Sequence, residues 1–415
     1  MDIVTKELNY AALFIPAFFG FLCLEWLLIK KSNGKLSQTL EQSLSNISIG
    51  IAERLIHLFV AVLFYNFFFW VYSNFAIYNI PNNYIVWIVL LLAVDFVWYW
   101  YHRLGHEINI LWAAHIVHHQ SDEFNLTAAA RITTIQAFIR YGFWAVLPLL
   151  GFHPNMVFTI LLVHGIYSFF THTETFKNLK WLEYVFITPS LHGVHHASNE
   201  KYLDKNYGDV FVFWDKLFGT FQKEEEQPVY GLTQPLNSYS FLWQHFHYYY
   251  EIYEAAKRAS GIKAKFKAIL GSPAHMDATI RPYIEKKLNQ QRGDKNVTLP
   301  KGLKTYLISQ IFLCVVLLTL LTLFFDFLLL PEKIVITLFI IISLIYCGAL
   351  LEKRRWIYDL EWVRLIIVYE YIAIITGHVY VFQIILLGVF AIHYLFSLRD
   401  KYLKFVFANT INETT

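Results

Sequence analysis

The chain has 415 residues, of which 56% are hydrophobic, 18% aromatic and 16% charged; soluble domains hold roughly 45–50% apolar residues, so this composition excludes a soluble globular enzyme and describes a polytopic membrane protein. A formal net charge of +3, with no basic residues gathered along one polar helix, argues against a nucleic-acid partner. The three cysteines, Cys23, Cys314 and Cys347, each lie inside an apolar run and form neither a disulfide framework nor a thiolate metal motif.

A membrane span needs about 20 apolar residues. The first candidate, 10–29, follows Asp2, Lys6 and Glu7 and precedes Lys30, Lys31 and Lys35. Those flanks suit a membrane helix whose C-terminal end is cytoplasmic, not a cleaved signal peptide. Further candidates cover 47–73, 84–101, 134–151, 155–172, 304–330, 333–351, 362–376 and 378–396. The pairs 134–172 and 362–396 read as tight hairpins that can tilt or dip short of a full crossing. Alternation places Arg103, the lysine-rich 257–304 region, Glu352-Lys353-Arg354-Arg355 and Arg399-Asp400-Lys401 on the side of Lys30. His102 and His172 then fall at the cytoplasmic ends of the third and fifth spans. Between the hydrophobic blocks, Tyr239–Arg258 is expected to be an interfacial helix and 286–304 a linker. The expected fold is all-α, a polytopic membrane helical bundle with a cytoplasmic-face, histidine-rich di-metal site. Residues 1–303 would be the catalytic domain and 304–415 a C-terminal transmembrane block.

The histidines carry the chemistry. His102 and His106 are four apart, which on a helix puts both rings on one face. His115, His118 and His119 form H-x-x-H-H, and His192, His195 and His196 repeat it. Eight imidazoles exceed the three or four ligands of one tetrahedral ion, so two metals sharing about four nitrogens each fit the count; spacing alone does not choose among iron, zinc, copper and nickel. His172, at the end of its span, is a candidate ninth ligand, and His164 lies about two turns deeper. His57, His153, His245, His247, His275, His378 and His393 read as structural. Glu107, Asp122, Glu123, Glu174 and Asp209 are candidates to orient ligand rings from behind. Asp95 is an acid inside the third span, where a charge is expensive and tends to serve function. The zinc-protease pattern H-E-x-x-H is absent, since Arg103 follows His102.

These boxes on a multi-span chain resemble the fatty acid hydroxylase and sterol desaturase superfamily of membrane di-metal oxygenases. Within it, YWYHRLGHEINILWAAHIVHHQSDEFNLTAAAR, FTHTETFKNLKWLEYVFITPSLHGVHHASNEKYLDKNYG, WDKLFGTF and VYGLTQPLN resemble the alkylglycerol monooxygenase family in order and spacing, and the block beyond 304 is similar to its layout. The resemblance implies two iron ions held by His102, His106, His115, His118, His119, His192, His195 and His196, with Glu107 a functionally required neighbour and His172 matching a histidine of the family's H-T-E stretch. His164 matches no position of that pattern. It further implies dioxygen as oxidant, a tetrahydrobiopterin-type reductant, and an alkylglycerol substrate hydroxylated at its ether-linked carbon, giving fatty aldehyde and a glycerol derivative. The protein would sit in the endoplasmic reticulum if eukaryotic or the cytoplasmic membrane if bacterial. Trp98, Trp100, Tyr101, Phe124, Phe169 and Phe170 are candidates to line the lipid's path. Two other readings stand beside this one: a sterol, fatty-acyl or carotenoid hydroxylase or desaturase with the same metals, and a membrane metal transporter. A transporter places its ligands near the midplane on interrupted helices, whereas these boxes sit at helix ends and beyond them.

Overall fold

The computed structural model describes residues 8–32, 36, 38–177, 179–288 and 300–407. Lys35 and most of the expected linker at 286–304 lie outside them. Packing divides the chain into two units, Phe19–Leu236 with Gln244–Gln290, and Met1–Phe18 with Asn237–Trp243 and Gln291–Thr415. Among the described residues the structure is helical, with two isolated β-bridges, Phe186 to Phe211 and Ala197 to Tyr230.

The first unit begins with most of α1 (Phe14–Lys31), then α2 (Leu40–Phe75) and α3 (Tyr84–Glu107). Thr39 caps α2 by accepting from the Gln42 N–H, and Asn83 caps α3 by accepting from that of Val86, so each helix starts where a short polar side chain satisfies an otherwise orphaned donor. Past α3 come α4 (Asn109–His115), a 3-10 turn at Ile116–Gln120, α5 (Leu126–Ala129), α6 (Gln136–Trp144), α7 (Val146–Leu150) and α8 (Pro154–Thr171).

The expected span at 134–151 is therefore two short helices. Pro148 lacks an N–H and restricts the turn before it, and Gln136 and Arg140 bring polar groups to α6. The pair still covers the distance, because the Ile77 N–H after α2 donates to the Leu149 carbonyl at 2.8 Å. Gly151 turns the chain there with φ of 109°, and a Cβ on it would stand 2.0 Å from the Tyr78 carbonyl oxygen. Phe68, Leu90, Val94, Tyr141, Trp144, Leu147, Met156 and Val157 are buried between these helices. The C-terminal ends of α3 and α8 thus lie at the end opposite this turn. There the chain continues through α9 (Pro189–His195), α10 (Phe213–Phe218), α11 (Phe241–Arg258), α12 (Ile262–Leu270) and α13 (Ile280–Lys287). Helix α11, expected along the headgroups, instead buries a polar face of Gln244, His245, His247, Glu251 and Glu254.

The second unit is built on α14 (Lys301–Leu323), α15 (Leu330–Leu351), α16 (Ile357–Thr376), α17 (Val379–Leu395) and α18 (Leu398–Phe407). Glu352 anchors Asn237–Trp243 to it, accepting from the Tyr239 and Ser240 N–H groups at 3.0 and 2.9 Å and from the Ser238 hydroxyl.

Among the described residues six helices are long and apolar enough to cross a membrane: Tyr10–Lys31, Leu40–Phe75, Tyr84–Glu107, Pro154–Thr171, Lys301–Leu323 and Leu330–Leu351. Only 22% of the apolar window of the first is buried, so its outward faces require lipid. Helix α16 carries Asp359, Glu361, Arg364 and Glu370, too many charges for that class, and α17 bends by 64° into the next helix. The protein is a multi-pass membrane protein.

Candidate metal centre

Nine histidines converge in two adjoining groups. His102, His106, His115, His119 and His195 form one; His118, His172, His192 and His196 form the other, with ligand atoms of each group within 4.8 Å of one another. Each H-x-x-H-H box is divided. His115 and His119 are an i, i+4 pair on one side of their turn, and His118 points away from them into the second group. In the later box His192 and His196 stay together and His195 crosses to the first group. Thr188 fixes the start of that helix by accepting from the Leu191 N–H, with Pro189 in its first turn.

The separations report how the rings aim. Nε2 of His115 is 3.1 Å from Nε2 of both His102 and His119. In the second group His172 Nε2 is 3.0 Å from His118 Nε2 and from His192 Nε2, which is 3.1 Å from His196 Nε2. Nitrogens held about 2.1 Å from one ion stand about 3.0 Å apart at a right-angle bond and about 3.4 Å apart at a tetrahedral one. The observed separations of 3.0–3.1 Å are short enough for the nitrogens of each group to share one ion. Nε2 of His106 and of His195 are buried with no hydrogen-bond partner, which an ion in the first group would supply.

Behind the rings stand backbone carbonyls. Nδ1 of His102 donates to Tyr207 at 2.9 Å, His118 to Arg131 at 3.1 Å, His172 to Ser168 at 2.7 Å and His195 to Lys205 at 2.9 Å. A donor bond at Nδ1 leaves the lone pair on Nε2, facing the group centre. Burial and the mutual repulsion of neighbouring rings hold His115, His118, His119, His192, His195 and His196 well below the ordinary histidine range, and burial takes His172 down to about 4. The rings are neutral at pH 7, the state a metal requires.

The carbonyls are in turn fixed. Asp215 accepts from the Tyr207 and Gly208 N–H groups at 2.7 and 2.9 Å, and Asp95 from the Val210 and Phe211 N–H groups at 3.0 and 3.2 Å and the Trp214 indole at 2.9 Å. Lys205 lies between Asp204 and Asn206, both in the left-handed region with φ of 59° and 54°, which Asp and Asn tolerate better than most residues. Arg131, 1% exposed, donates to the Val117 carbonyl, Asn46, Gln120 and Gln244. Glu25, buried on α1, accepts from the Leu126 N–H at 2.7 Å and from the hydroxyl of Thr173, the residue after His172.

Of the sequence candidates, His172 joins the second group. His164 stands apart, its Nδ1 2.7 Å from Asp209 and 3.8 Å from Asp95, all three buried. Glu107 is turned outward, its side chain 46% exposed, and accepts from Arg103 at 2.8 Å. Glu123 accepts from the Thr39 N–H, and Glu174 pairs with Lys177 and accepts from the Tyr230 hydroxyl. The expected carboxylate support is thus carbonyl support at the four ring nitrogens described. A carbonyl belongs to every residue, so no sequence signal marks it. Arg131 has no signal in the sequence because a lone charge just past a short helix looks like surface. For Glu25, its position inside the apolar run 10–29 was the available signal. Phe124 lies against the rings of His172 and His196 at centroid distances of 5.6 and 5.2 Å and stacks on Tyr230 at 4.8 Å. Trp98 lies 6.4 Å from the His102 ring.

Residues 87–220 match the model of the fatty acid hydroxylase family. The chain is 36% identical over 267 residues to alkylglycerol monooxygenase of Homo sapiens, covering 64% of this chain and 60% of that protein. It is 32% identical over 376 residues to the Danio rerio protein of the same name, covering 88% and 82%, and 31% identical over 287 residues to that of Xenopus tropicalis, covering 69% and 64%. No solved structure matches.

Proposed function

Because the chain belongs to the alkylglycerol monooxygenase family, we propose that it is a membrane di-iron monooxygenase that hydroxylates the ether-linked carbon of alkylglycerols, with dioxygen and a tetrahydrobiopterin-type reductant. The observation that carries this reading is the convergence of nine histidines in two groups at one end of a membrane bundle. When bound, two irons supply activation of dioxygen and abstraction of hydrogen from the carbon beside the ether oxygen. One oxygen atom enters the C–H bond and the other leaves as water with two electrons and two protons from the reductant. The hemiacetal so formed collapses to fatty aldehyde and the free glycerol hydroxyl.

The chain's own part is to hold and to exclude. His102, His106, His115, His119 and His195 hold one iron, and His118, His172, His192 and His196 the other. The Tyr207, Arg131, Ser168 and Lys205 carbonyls keep four of these rings in the metal-binding tautomer. Phe124 and Trp98 cover the centre with apolar surface that keeps water from the oxidant. Glu107, beside the first group, serves as the functionally required acid at its outer rim. The lipid tail remains among the spans while the headgroup meets the histidine end, and the positive-inside pattern of Lys30, Lys31 and Arg103 supports a cytoplasmic side for it.

The test is fatty aldehyde release from a 1-O-alkylglycerol by membranes containing the protein, under dioxygen, with and without tetrahydrobiopterin. Aldehyde that appears only with the pterin establishes substrate and donor together. None in either arm from iron-loaded protein, with product from a sterol or acyl lipid, transfers the site to that substrate class.

A further inference from the structure

Helix α12, with the sequence IKAKFKAIL, has two distinct sides. Its inner side faces the rest of its unit: the Ala268 carbonyl accepts from the Asn109 side chain at 3.0 Å and the Gly271 carbonyl accepts from the Asn109 N–H at 2.8 Å, while Ile269, at the border between the two sides, packs in a cluster with Ile110 and Trp112. Its outer side carries Ile262, Phe266 and Leu270, four residues apart on one stripe and 68%, 56% and 55% exposed. Lys263, Lys265 and Lys267 are exposed as well. At 100° per residue Lys263 and Lys267 fall along one edge of that stripe and Lys265 lies beyond Ile269 on the other, and no acid occurs in the helix.

An exposed apolar stripe edged on both sides by lysines is the surface of a helix lying in a bilayer interface. The apolar side chains enter the acyl boundary, and the lysine stems run up to the headgroups. The charge selects among lipids, since each lysine near an anionic leaflet is attracted to it and the attraction fades within a Debye length. Lys257 and Arg258 at the end of α11 add charge of the same sign.

We propose that α12 docks on the anionic headgroup surface of the bilayer that the spans cross, and that docking steadies α4. Asn109, to which α12 is bonded twice, is the first residue of α4, and Tyr248 donates to its side-chain oxygen at 2.7 Å. His115 is the last residue of the same helix. A held α12 therefore restrains the short helix that delivers His115 to the five-histidine group and leads into the turn that carries His118 and His119. This inference rests on the membrane architecture and not on the reaction proposed above.

The test uses the full chain in vesicles of phosphatidylcholine alone and of phosphatidylcholine and phosphatidylglycerol in equal parts. A nitroxide on Phe266→Cys, in a Cys23→Ser background, reports accessibility to oxygen, which concentrates in the bilayer, against a water-soluble nickel chelate. The ratio should rise several-fold in the anionic vesicles, and Lys263→Gln/Lys265→Gln/Lys267→Gln should abolish the rise while inserting at the same yield. A ratio equal in the two vesicles overturns the headgroup assignment. Dipolar broadening between labels in place of lipid exposure overturns it in favour of self-association. Hydrogen exchange of 109–115 in the same vesicles supplies a second readout, slower in the anionic arm for the parent chain and unchanged between arms for the triple variant.

Discussion

His118 and His119 are consecutive in the chain and face different groups: His118 Nε2 lies 3.0 Å from His172 Nε2, whereas His119 Nε2 lies 3.1 Å from His115 Nε2. Adjacent residues on a tight turn point about 100–120° apart, so no single ion can take both. The pair is the point at which one box divides between the two histidine groups.

His118→Ala and His119→Ala should each remove one centre preferentially. Activity is expected to be lost in both, and elemental analysis should find bound metal lowered in each. A spectroscopic signature such as Mössbauer should show a different residual site in the two variants. Retained activity with full metal in His118→Ala would overturn the ligand assignment.

Asp215 holds the segment whose carbonyl orients His102. Asp215→Ala strands the Tyr207 and Gly208 N–H groups, each unpaired buried donor costing about 1–3 kcal/mol, and leaves the Thr220 hydroxyl with Tyr99 alone. Affinity at the five-histidine group should fall roughly 10–100-fold, the usual consequence of losing outer support. Titration with ferrous ion, compared with the Asp215→Asn variant, which retains one acceptor, checks this. An unchanged affinity would show that Tyr207 does not set the ring.

Arg131→Lys should fail to rescue. The guanidinium reaches five separate oxygens from a fixed fork, which an ammonium cannot do. Loss of two or more bonds to a charged donor costs about 3 kcal/mol or more, so both Arg131→Lys and Arg131→Met should lower the apparent melting temperature in detergent. A melting temperature equal to the parent's would remove Arg131 from the support of His118.

Glu25 ties the first span to the residue after His172. Glu25→Ala should weaken the four-histidine group more than the five-histidine group, and Glu25→Gln, which keeps an accepting oxygen for the Leu126 N–H, should lie between Ala and the parent. Metal content of the two variants, resolved by the same spectroscopy, distinguishes this from a general loss of folding.

Metal removal should destabilise the first unit. A ligand at a thousandfold its dissociation constant adds about 4 kcal/mol to stability. An iron chelator should therefore lower the apparent melting temperature, and ferrous ion should restore it. A melting temperature insensitive to the chelator would mean that the rings hold together by packing alone.

The sequence by itself determined the membrane class, because apolar runs of span length cannot be satisfied in water. It also determined eight of the nine converging rings, because imidazoles spaced three and four apart announce themselves in any register. His172 was legible as a borderline ninth from its place at the end of a span. What only the tertiary structure decided is the sorting of rings into groups of five and four, since that depends on how α3, α4, α8 and α9 are brought to one end of the bundle. The same is true of the isolation of His164. Its pairing with Asp95 and Asp209 joins residues 69 and 45 positions apart along the chain, and no local spacing encodes that. The outer support belongs to the same class, because a backbone carbonyl carries no identity in the sequence. Only the folded path of 204–211, held by Asp95, Asp215 and Asn206, makes the particular carbonyls of Tyr207 and Lys205 available to His102 and His195.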